Sequence, residues 1–416
     1  LATSSNMLSS IVVGLDIGTT KVCTVIARIL GHECEVIGVS VVPSHGLRKG
    51  VVIDIEETAR SIAASIKKAE IQAGEMVRGV YIGISGGHIE GINSRGVIAI
   101  ADKNQEITEA DVKRVIDAAT AIVLPVDRDL IHVIPQEFIV DSHEGIRDPV
   151  GMSAHRLEAV VHIITAATTS VNNTVKAVKK AGFEAQDIVL QPLAASRAIL
   201  SDEERDMGVL VLDIGGGTTD YVIFKDGSLR STGILSLGGN HVTSDISYGL
   251  KTSLPTAEEI KKRFGCAIAD FVDEGEVIEV PGVGGRAPVI ESRRKLAEII
   301  QPRLEEIFSL VYQSVEKTGL LDGLLGGVVL TGGVSLTPYI VDLASAIFGM
   351  PVRIGKPLGI GGLRDMVDSP IYSTAVGLCL YAMDNSPRLG PTDHKDEEKN
   401  INSIVERLKE WVKEFF

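Results

Sequence analysis

Val209-Leu210-Val211-Leu212-Asp213-Ile214-Gly215-Gly216-Gly217-Thr218-Thr219 is an apolar run that ends in an aspartate and a Gly/Thr turn. Nearly the same phrase stands far upstream as Val12-Val13-Gly14-Leu15-Asp16-Ile17-Gly18-Thr19-Thr20. A second apolar run follows each copy, Val22 to Ile26 and Tyr221 to Phe224. Apolar run, turn and apolar run make the pattern of a β-hairpin. Two such hairpins predict two related halves that close on one ligand.

The chemistry of the phrase points to phosphate. A carboxylate at the end of a buried strand is fixed at the mouth of a sheet. The residues after it lack bulk, so backbone N–H groups can approach phosphate oxygens closely, and threonine hydroxyls add donors. A carboxylate repels phosphate but can hold a magnesium ion, usually through its waters, and the ion bridges to the phosphates. Gly18, Thr19, Thr20 and Lys21 would then cradle one side of a polyphosphate. Gly215, Gly216, Gly217 and Thr218 would cradle the other, with Asp16 and Asp213 flanking the metal. A single Asp-x-Gly-x-Thr reads as an ordinary turn; the repetition at matching strand ends carries the inference.

Three further segments fit the scheme, each with a plainer reading beside it. Gln191-Pro192 opens an apolar helical stretch that reaches Leu200. The glutamine either orients a water in line with the terminal phosphate or simply begins a helix with proline in its first turn. Val328 to Ser335 is a buried strand ending in Gly332, Gly333 and Val334. That end lies flat beside a base or ribose, or is a tight strand-to-helix turn. Gly238 and Gly239 open a helix, and Thr256 to Arg263 within the stretch Val242 to Gly265 reads as helical. Glu259 and Lys262 or Arg263 share a face there, reaching ribose and purine or only solvent.

Bulk properties narrow the class. A chain of 416 residues predicts two large domains, and 44% hydrophobic residues suffice for substantial cores. A net charge of −14 does not favour nucleic acid or anionic lipid over the whole surface. Any membrane contact must be local. Cys23, Cys34, Cys266 and Cys379 are scattered, without metal spacing or a disulfide framework. His32-Glu33-Cys34 reads as a polar turn between strands. No apolar stretch has the length of a membrane span and no signal peptide is visible, so the cytoplasm is expected. Leu1 to Asn6 precede Met7 and are set aside.

Strands and helices alternate along the chain. Hairpins fill Ile11 to Ser40, a helix follows near Ile55 to Gly74 with Ile62, Ile66 and Ala69 on one face, and Val80 to Ser85 returns as a strand. An inserted unit follows: strand Gly96 to Ile100, helix Thr108 to Ala121, and strands near Asp129 to Val140 and Arg156 to Ile164. Thr108-x-x-Asp111 resembles a capping box. Ser201 to Asp206 reads as a polar hinge, and a long helix is expected over Ser292 to Thr318. After Met383 the composition turns polar, with two prolines and a glycine, as in a flexible linker. Beyond it Ile401, Ile404, Val405, Leu408, Trp411, Val412 and Phe415 recur at helical spacing, and charged residues take the other face. An amphipathic helix behind a linker suits an interfacial membrane anchor, or a helix docked on this chain or a partner. One such tail binds lipid reversibly, whereas a filament of many tails binds through avidity.

In this order the segments resemble the actin-like ATPase superfamily, shared by actin, heat-shock chaperone ATPases, MreB and sugar kinases. They look like its two phosphate loops, its connecting helices starting near Gln191 and near Ser373-Thr374-Ala375-Val376-Gly377, and its adenosine loop at Thr331 to Ser335. The resemblance spans nearly the whole chain and is closest to the FtsA family of bacterial division proteins. Gly14-Leu15-Asp16-Ile17-Gly18-Thr19-Thr20-Lys21 looks like that family's first loop, and Ile84-Ser85-Gly86-Gly87-His88-Ile89 like the start of its special subdomain. His132-Val133-Ile134-Pro135-Gln136-Glu137-Phe138 and Asp148-Pro149-Val150-Gly151-Met152 resemble segments typical of that subdomain.

The resemblance implies an α/β, actin-like (ribonuclease-H-like) two-domain fold with an FtsA-type inserted subdomain and a C-terminal amphipathic helix. Residues 8–87 and 164–200, with 373–384, would form the first core, and 88–163 the insert. Residues 207–240 and 320–372 would form the second core, 241–319 its outer lobe, 385–400 a linker and 401–416 the membrane-targeting helix. Ile404, Leu408, Trp411, Val412 and Phe415 would enter lipid. ATP and Mg2+ are the implied cofactors. Hydrolysis would be slow, with Gln191 and Asp213 as the catalytic residues. The implied partners are a second copy in a filament, cytoplasmic membrane lipid, the acidic and apolar FtsZ C-terminal tail, and later division proteins. Arg293, Arg294 and Arg303 are candidates for the FtsZ seat. The place is the inner face of the cell membrane at the division site. Two rivals share the fold: a pilus-assembly actin-like ATPase, and a sugar or small-molecule kinase, which needs a second polar substrate pocket and leaves the tail unexplained.

Overall fold

The structure, a computed structural model, describes residues 10–101, 106–282 and 284–385. Leu1 to Asn6, the linker from 386 onward and the amphipathic segment 401–416 lie outside the described residues.

The two phrases form matching hairpins. Strands Ser10–Ile17 and Lys21–Leu30 pair antiparallel, ending at Ile17↔Val22. Strands Val209–Ile214 and Thr219–Lys225 pair likewise, ending at Ile214↔Thr219. The same main-chain bond closes both turns: Gly18 N–H donates to the Lys21 carbonyl at 2.9 Å, and Gly215 N–H to the Thr218 carbonyl at 2.9 Å. The strands read as unbroken apolar runs because both sheet faces are covered. Leu210, Val211, Leu212, Val222 and Ile223 are wholly buried.

The likeness extends from hairpin to sheet. In the first sheet Glu33–Pro43, Lys21–Leu30 and Ser10–Ile17 are followed by Gly79–Ile84 and Glu184–Leu190, with Gly361–Gly362 added at the edge. In the second, Ser228–Leu235, Thr219–Lys225 and Val209–Ile214 are followed by Val328–Thr331 and Val352–Ile354. Each half therefore runs third, second, first, fourth, fifth, with antiparallel hairpins on one side and parallel strands on the other. Parallel neighbours need crossover helices. Helix Ile55–Ala73 serves the first sheet, burying the expected Ile62, Ile66 and Ala69. It begins where the Asp54 side chain accepts the Glu57 N–H and ends at Gly74 in the left-handed region.

Two helices run between the sheets. Gln191–Ile199 follows the last strand of the first sheet, and Ser373–Asn385 closes the described chain. They cross almost backbone on backbone, since a Cβ at Gly377 would lie 1.8 Å from the Ala194 carbonyl oxygen.

The inserted unit is a sheet ordered Ile89–Ala99, Arg156–Ala167, Arg128–Val140 and His143–Ile146, with helix Glu109–Thr120 packed on it. Thr108 and Asp111 form the expected box, each side chain bonding the other's backbone N–H. The register slips between Val160↔Glu137 and Val161↔Pro135, which leaves Gln136 without a partner in the ladder. Proline lacks the N–H a ladder needs and is tolerated at such a bulge. The bulge sends the Gln136 amide to the second half, where it donates to the carbonyls of Leu229 at 2.8 Å and Arg230 at 2.9 Å.

As expected, a helix opens at Gly239 (Gly239–Gly249) and another, Leu254–Phe264, holds Thr256 to Arg263; Lys251 turns into the left-handed region between them. One sequence expectation is corrected. Ser201 to Asp206 is no hinge: Ser201 and Glu204 make a capping box that starts helix Asp202–Met207. Glu204 also binds Arg353 through both oxygens at 2.7 Å. The outer lobe adds the small hairpin Val277–Val280/Val289–Ser292 and the long helix Arg293–Glu316, which buries Leu304, Ile307, Phe308, Val311 and Val315.

Candidate nucleotide site

Each phrase aspartate sits at the end of its strand and is held by a different crossing helix. Asp16 Oδ2 pairs with Lys21 Nζ at 2.6 Å, and Asp16 Oδ1 accepts from Gln191 Nε2 at 3.0 Å. Asp213 Oδ2 accepts from Thr374 Oγ1 at 3.1 Å. Gln191 is the first residue of its helix and Thr374 the second of the other. Thr374 lies within the segment named for the second connecting helix, but its role as an aspartate's partner did not emerge from the sequence.

The turns face one another across the cleft. A Cβ at Gly216 would lie 2.3 Å from Thr20 Cγ2, and one at Gly217 2.5 Å from Thr19 Oγ1. Glycine is required there because the opposite loop fills the space. Thr19 Oγ1 also accepts from Gly50 N–H at 3.0 Å. Behind the second turn, Gly239 and Asn240 donate their N–H groups to the carbonyls of Gly215 and Gly216. Gly238 fits against the Thr218 backbone.

Gly332 adopts φ 83° and lies against Asp213, where a Cβ would come within 2.4 Å of Oδ1. Gly333 faces open space, and Val334 reaches toward Gly239. Lys261 Nζ joins them, donating to the Gly239 carbonyl at 3.0 Å and to Thr243 Oγ1 at 2.8 Å while pairing with Glu258 at 2.6 Å. Glu259, Lys262 and Arg263 are exposed. Lys262 pairs with Glu258 at 3.2 Å, and Arg263 lies over the Phe264 ring. Lys261 and Glu258 thus stand beside Gly239, while Glu259, Lys262 and Arg263 lie on the exposed face of the same helix.

A third buried acid stands in the same cluster. Asp220 lies directly opposite Asp213 in the hairpin register. Ser85 Oγ bonds its carboxyl at 2.7 Å and Thr218 Oγ1 at 2.9 Å. Ser85 belongs to the first half, so this contact spans the cleft. Burial pushes Asp220 up to about 7, with Asp213 and Asp16 adding to the rise against the Ser85 and Thr218 bonds. Burial and the Asp16 charge raise Asp213 to about 6, against Lys21 and Thr374. Burial works to lower Lys21, but the Asp16 carboxylate outweighs it and holds the ammonium above its usual range. Asp220 went unread in the sequence; its signal was a single acid inside a buried apolar strand.

The donor set suits a phosphate-bound magnesium ion better than a protein-caged one. Buried acids whose charges raise each other's pKa are relieved by a cation. Among the described residues no group of three His, Cys, Asp or Glu could hold a metal. Magnesium would therefore take its remaining ligands from phosphate oxygens and water, as it commonly does.

The three arginines expected at a partner seat already hold carboxylates of their own lobe. Arg303 binds Asp245 through two nitrogens at 2.6 and 3.1 Å and also pairs with Glu306. Arg293 bonds Glu276 at 2.5 Å and the Phe264 carbonyl at 2.9 Å. Arg294 bonds Asp270, an exposed acid, at 2.5 Å.

Comparisons with known proteins agree with this architecture. The family model "Cell division protein FtsA" matches residues 210–377, and "SHS2 domain inserted in FTSA" matches residues 86–165. The cell division protein FtsA of Pseudomonas aeruginosa is 42% identical over 407 residues, covering 96% of this chain and 97% of that protein. That of Borreliella burgdorferi is 43% identical over 413 residues, covering 99% and 100%. Among solved structures, the PilM-PilN type IV pilus biogenesis complex matches with a TM-score of 0.65 at 18% identity, over 89% of this chain and 98% of that one. MreB5 of Spiroplasma citri bound to ADP matches with a TM-score of 0.52 at 16% identity, over 89% and 95%. The structural likenesses carry the actin-like fold that the resemblance implied. The near full-length sequence identity carries more: this chain belongs to the FtsA family of cell division proteins.

Proposed function

We propose that this chain binds ATP with Mg2+ between its two hairpins and polymerises on the cytoplasmic face of the cell membrane at the division site. There it tethers FtsZ filaments through its outer lobe and recruits later division proteins. The observation that carries the reading is the shared anchoring of the two aspartates, Asp16 by Gln191 and Asp213 by Thr374. A polyphosphate between them touches both halves at once and couples nucleotide state to their relative position. The MreB5 structure bound to ADP supports the nucleotide part by fold likeness.

The residues suggest a slow hydrolase. A carboxylate only accepts hydrogen bonds, so the Gln191 amide nitrogen must face Asp16. Its Oε1 is left to accept from a water aimed at the terminal phosphate. Asp213, at the mouth of the second hairpin and raised to about 6, would take up the water's proton, with Asp220 opposite it in the register. The turn N–H groups and Thr19, Thr20 and Thr218 would orient the phosphates. Bound magnesium would supply charge neutralisation.

No described helix is long and apolar enough to cross a membrane. Attachment is assigned to residues 401–416, with Ile404, Leu408, Trp411, Val412 and Phe415 entering the interface. The test is co-sedimentation with lipid vesicles, comparing the full chain with one ending at Asn400. Pelleting that needs residues 401–416 and increases with ATP is the expected result. Pelleting indifferent to both the tail and ATP overturns the reading.

A further inference from the structure

A cavity of about 490 Å³ opens away from the hairpin turns, and none of the phosphate-loop residues lines it. Its wall joins three parts of the chain. Ile131 and Ile134 come from the bulged strand of the insert, Leu193 from the first crossing helix, and Phe224 and Leu229 from the second hairpin. Its size falls in the range of ligand pockets, roughly 300–1,000 Å³. Its wall is largely apolar with a few fixed charges. Asp384 is clasped by Arg197 at 2.6 and 3.1 Å, and Arg147 pairs with Asp206 at 2.6 Å. Arg205 lies over Phe224 and donates to the Ser196 carbonyl at 3.2 Å. Its Nε is buried without a hydrogen-bond partner among the described residues. A buried donor left unmade is costly, so an occupant offering an acceptor is favoured.

The course of the chain indicates the occupant. Asn385, the last of the described residues, itself lines the cavity, so the chain leaves them at its rim. Residues 386–400, rich in polar residues with proline and glycine, have a flexible-chain reach of roughly 20 Å. That is enough to return the following segment to the cavity. Residues 401–416 carry an apolar row, Ile404, Leu408, Trp411, Val412 and Phe415, with Glu410 and Glu414 one turn apart beside it. Apolar side chains left in water gain by burial, and a glutamate offers the acceptor that Arg205 Nε lacks.

We infer that, without lipid, residues 401–416 return to their own chain and seat their apolar row in this cavity. The same side chains cannot enter a bilayer and the cavity together. Membrane arrival therefore empties a pocket that bridges insert, first half and second half. This exchange rests on the membrane reading above; the docking itself does not.

Trp411 is the only tryptophan, so fluorescence of the full chain reports on this segment alone. In lipid-free buffer its emission should be blue-shifted, and its quenching by acrylamide several-fold weaker than for N-acetyltryptophanamide. Ser228→Glu, at a half-buried hairpin position lining the cavity, should restore free-solution quenching with an unchanged melting curve. All four native cysteines are buried. A Ser228→Cys, Val412→Cys double variant should therefore form one intramolecular disulfide under mild oxidation. Trp411 as open as the free fluorophore overturns the inference. So does protection that ignores Ser228→Glu, or protection that appears only as protein concentration rises, which indicates a second copy or another surface. Phosphatidylglycerol vesicles separate the two readings. Docking without vesicle binding leaves the inference standing and removes the anchor; vesicle binding with an exposed lipid-free Trp411 does the reverse.

Discussion

Asp213 and Asp220 stand directly opposite each other in the second hairpin, whereas the same register position in the first hairpin opposes Asp16 with Cys23. Opposed residues of an antiparallel pair share one face and lie close, and like charges there repel. The second hairpin carries two acids held above the ordinary carboxylate range: Asp213 at about 6 by burial and the Asp16 charge, and Asp220 at about 7 by burial and the charges of Asp213 and Asp16.

This pair makes the nucleotide-free protein less stable as pH rises. Between the ordinary carboxylate pKa near 3.8 and about 7, folded Asp220 keeps a proton that the unfolded chain has lost. Stability falls wherever the native state binds more protons than the unfolded one. The contribution is fully present below the unfolded pKa and is gone once pH passes the folded one. Melting temperatures of the nucleotide-free chain should decline from pH 5 to pH 8, and Asp220→Asn should flatten that decline. An equally steep decline in the variant would assign it to other groups.

Gln191 and Thr374 hold different aspartates and should fail differently. Gln191→Ala leaves the turns intact while removing the group that orients water. Hydrolysis should fall by about 10²-fold, at the lower end of what a positioned proton-transfer group supplies, with ATP affinity little altered. Thr374→Val leaves a buried acid short of a donor, so it should raise the Asp213 pKa further. Parallel measurement of nucleotide affinity and phosphate release separates the two outcomes.

Gln136 fastens the insert to the second half. Gln136→Ala leaves the Leu229 and Arg230 carbonyls without that donor, at a cost of about 1–3 kcal/mol if they stay buried and unpaired. Amide exchange should quicken in Arg128–Val140 and Ser228–Leu235, and much less in Ile55–Ala73 on the far side. Uniform exchange throughout would mean that other contacts carry the join.

The outer-lobe arginines should divide by exposure. Arg293 and Arg303 are about three-quarters covered and tie separate segments of the lobe together. Their alanine variants should lower the melting temperature. Among the described residues Arg294 holds only the exposed Asp270 and Glu298, and such surface pairs contribute about 0–1 kcal/mol. It can therefore be captured by an incoming acid. Arg294→Glu should weaken binding of an acidic FtsZ tail peptide with no change in melting, as calorimetry on all three variants would reveal.

The legible parts of the molecule were those written as local repeats. Asp16 and Asp213 announced themselves because each ends an apolar run before a glycine turn, and the Thr108 cap because its spacing is a fixed device. Asp220 escaped because the residues after the turn were read only as the returning strand; its meaning lies in the register, not the order. Glu258 and Lys261, which the structure places beside Gly239, were not singled out in the sequence. One residue is about 100° around a helix, and charged residues at successive positions of Leu254–Phe264 do not by themselves say which of them turns toward Gly239. Pro135-Gln136 was legible as a family signature but not as a bulge, because the slip depends on the facing strand. The cavity was invisible for a similar reason: its walls come from segments distant in sequence.

Gly377 sets the Ser373–Asn385 backbone directly on the Ala194 carbonyl. Helices that meet through large side chains interlock like gear teeth, and turning one against the other means lifting ridges out of grooves. A smooth contact offers no teeth. The crossing can then act as a plain bearing on which one half swivels over the other with little packing lost, leaving the energy of ligand binding to set the angle.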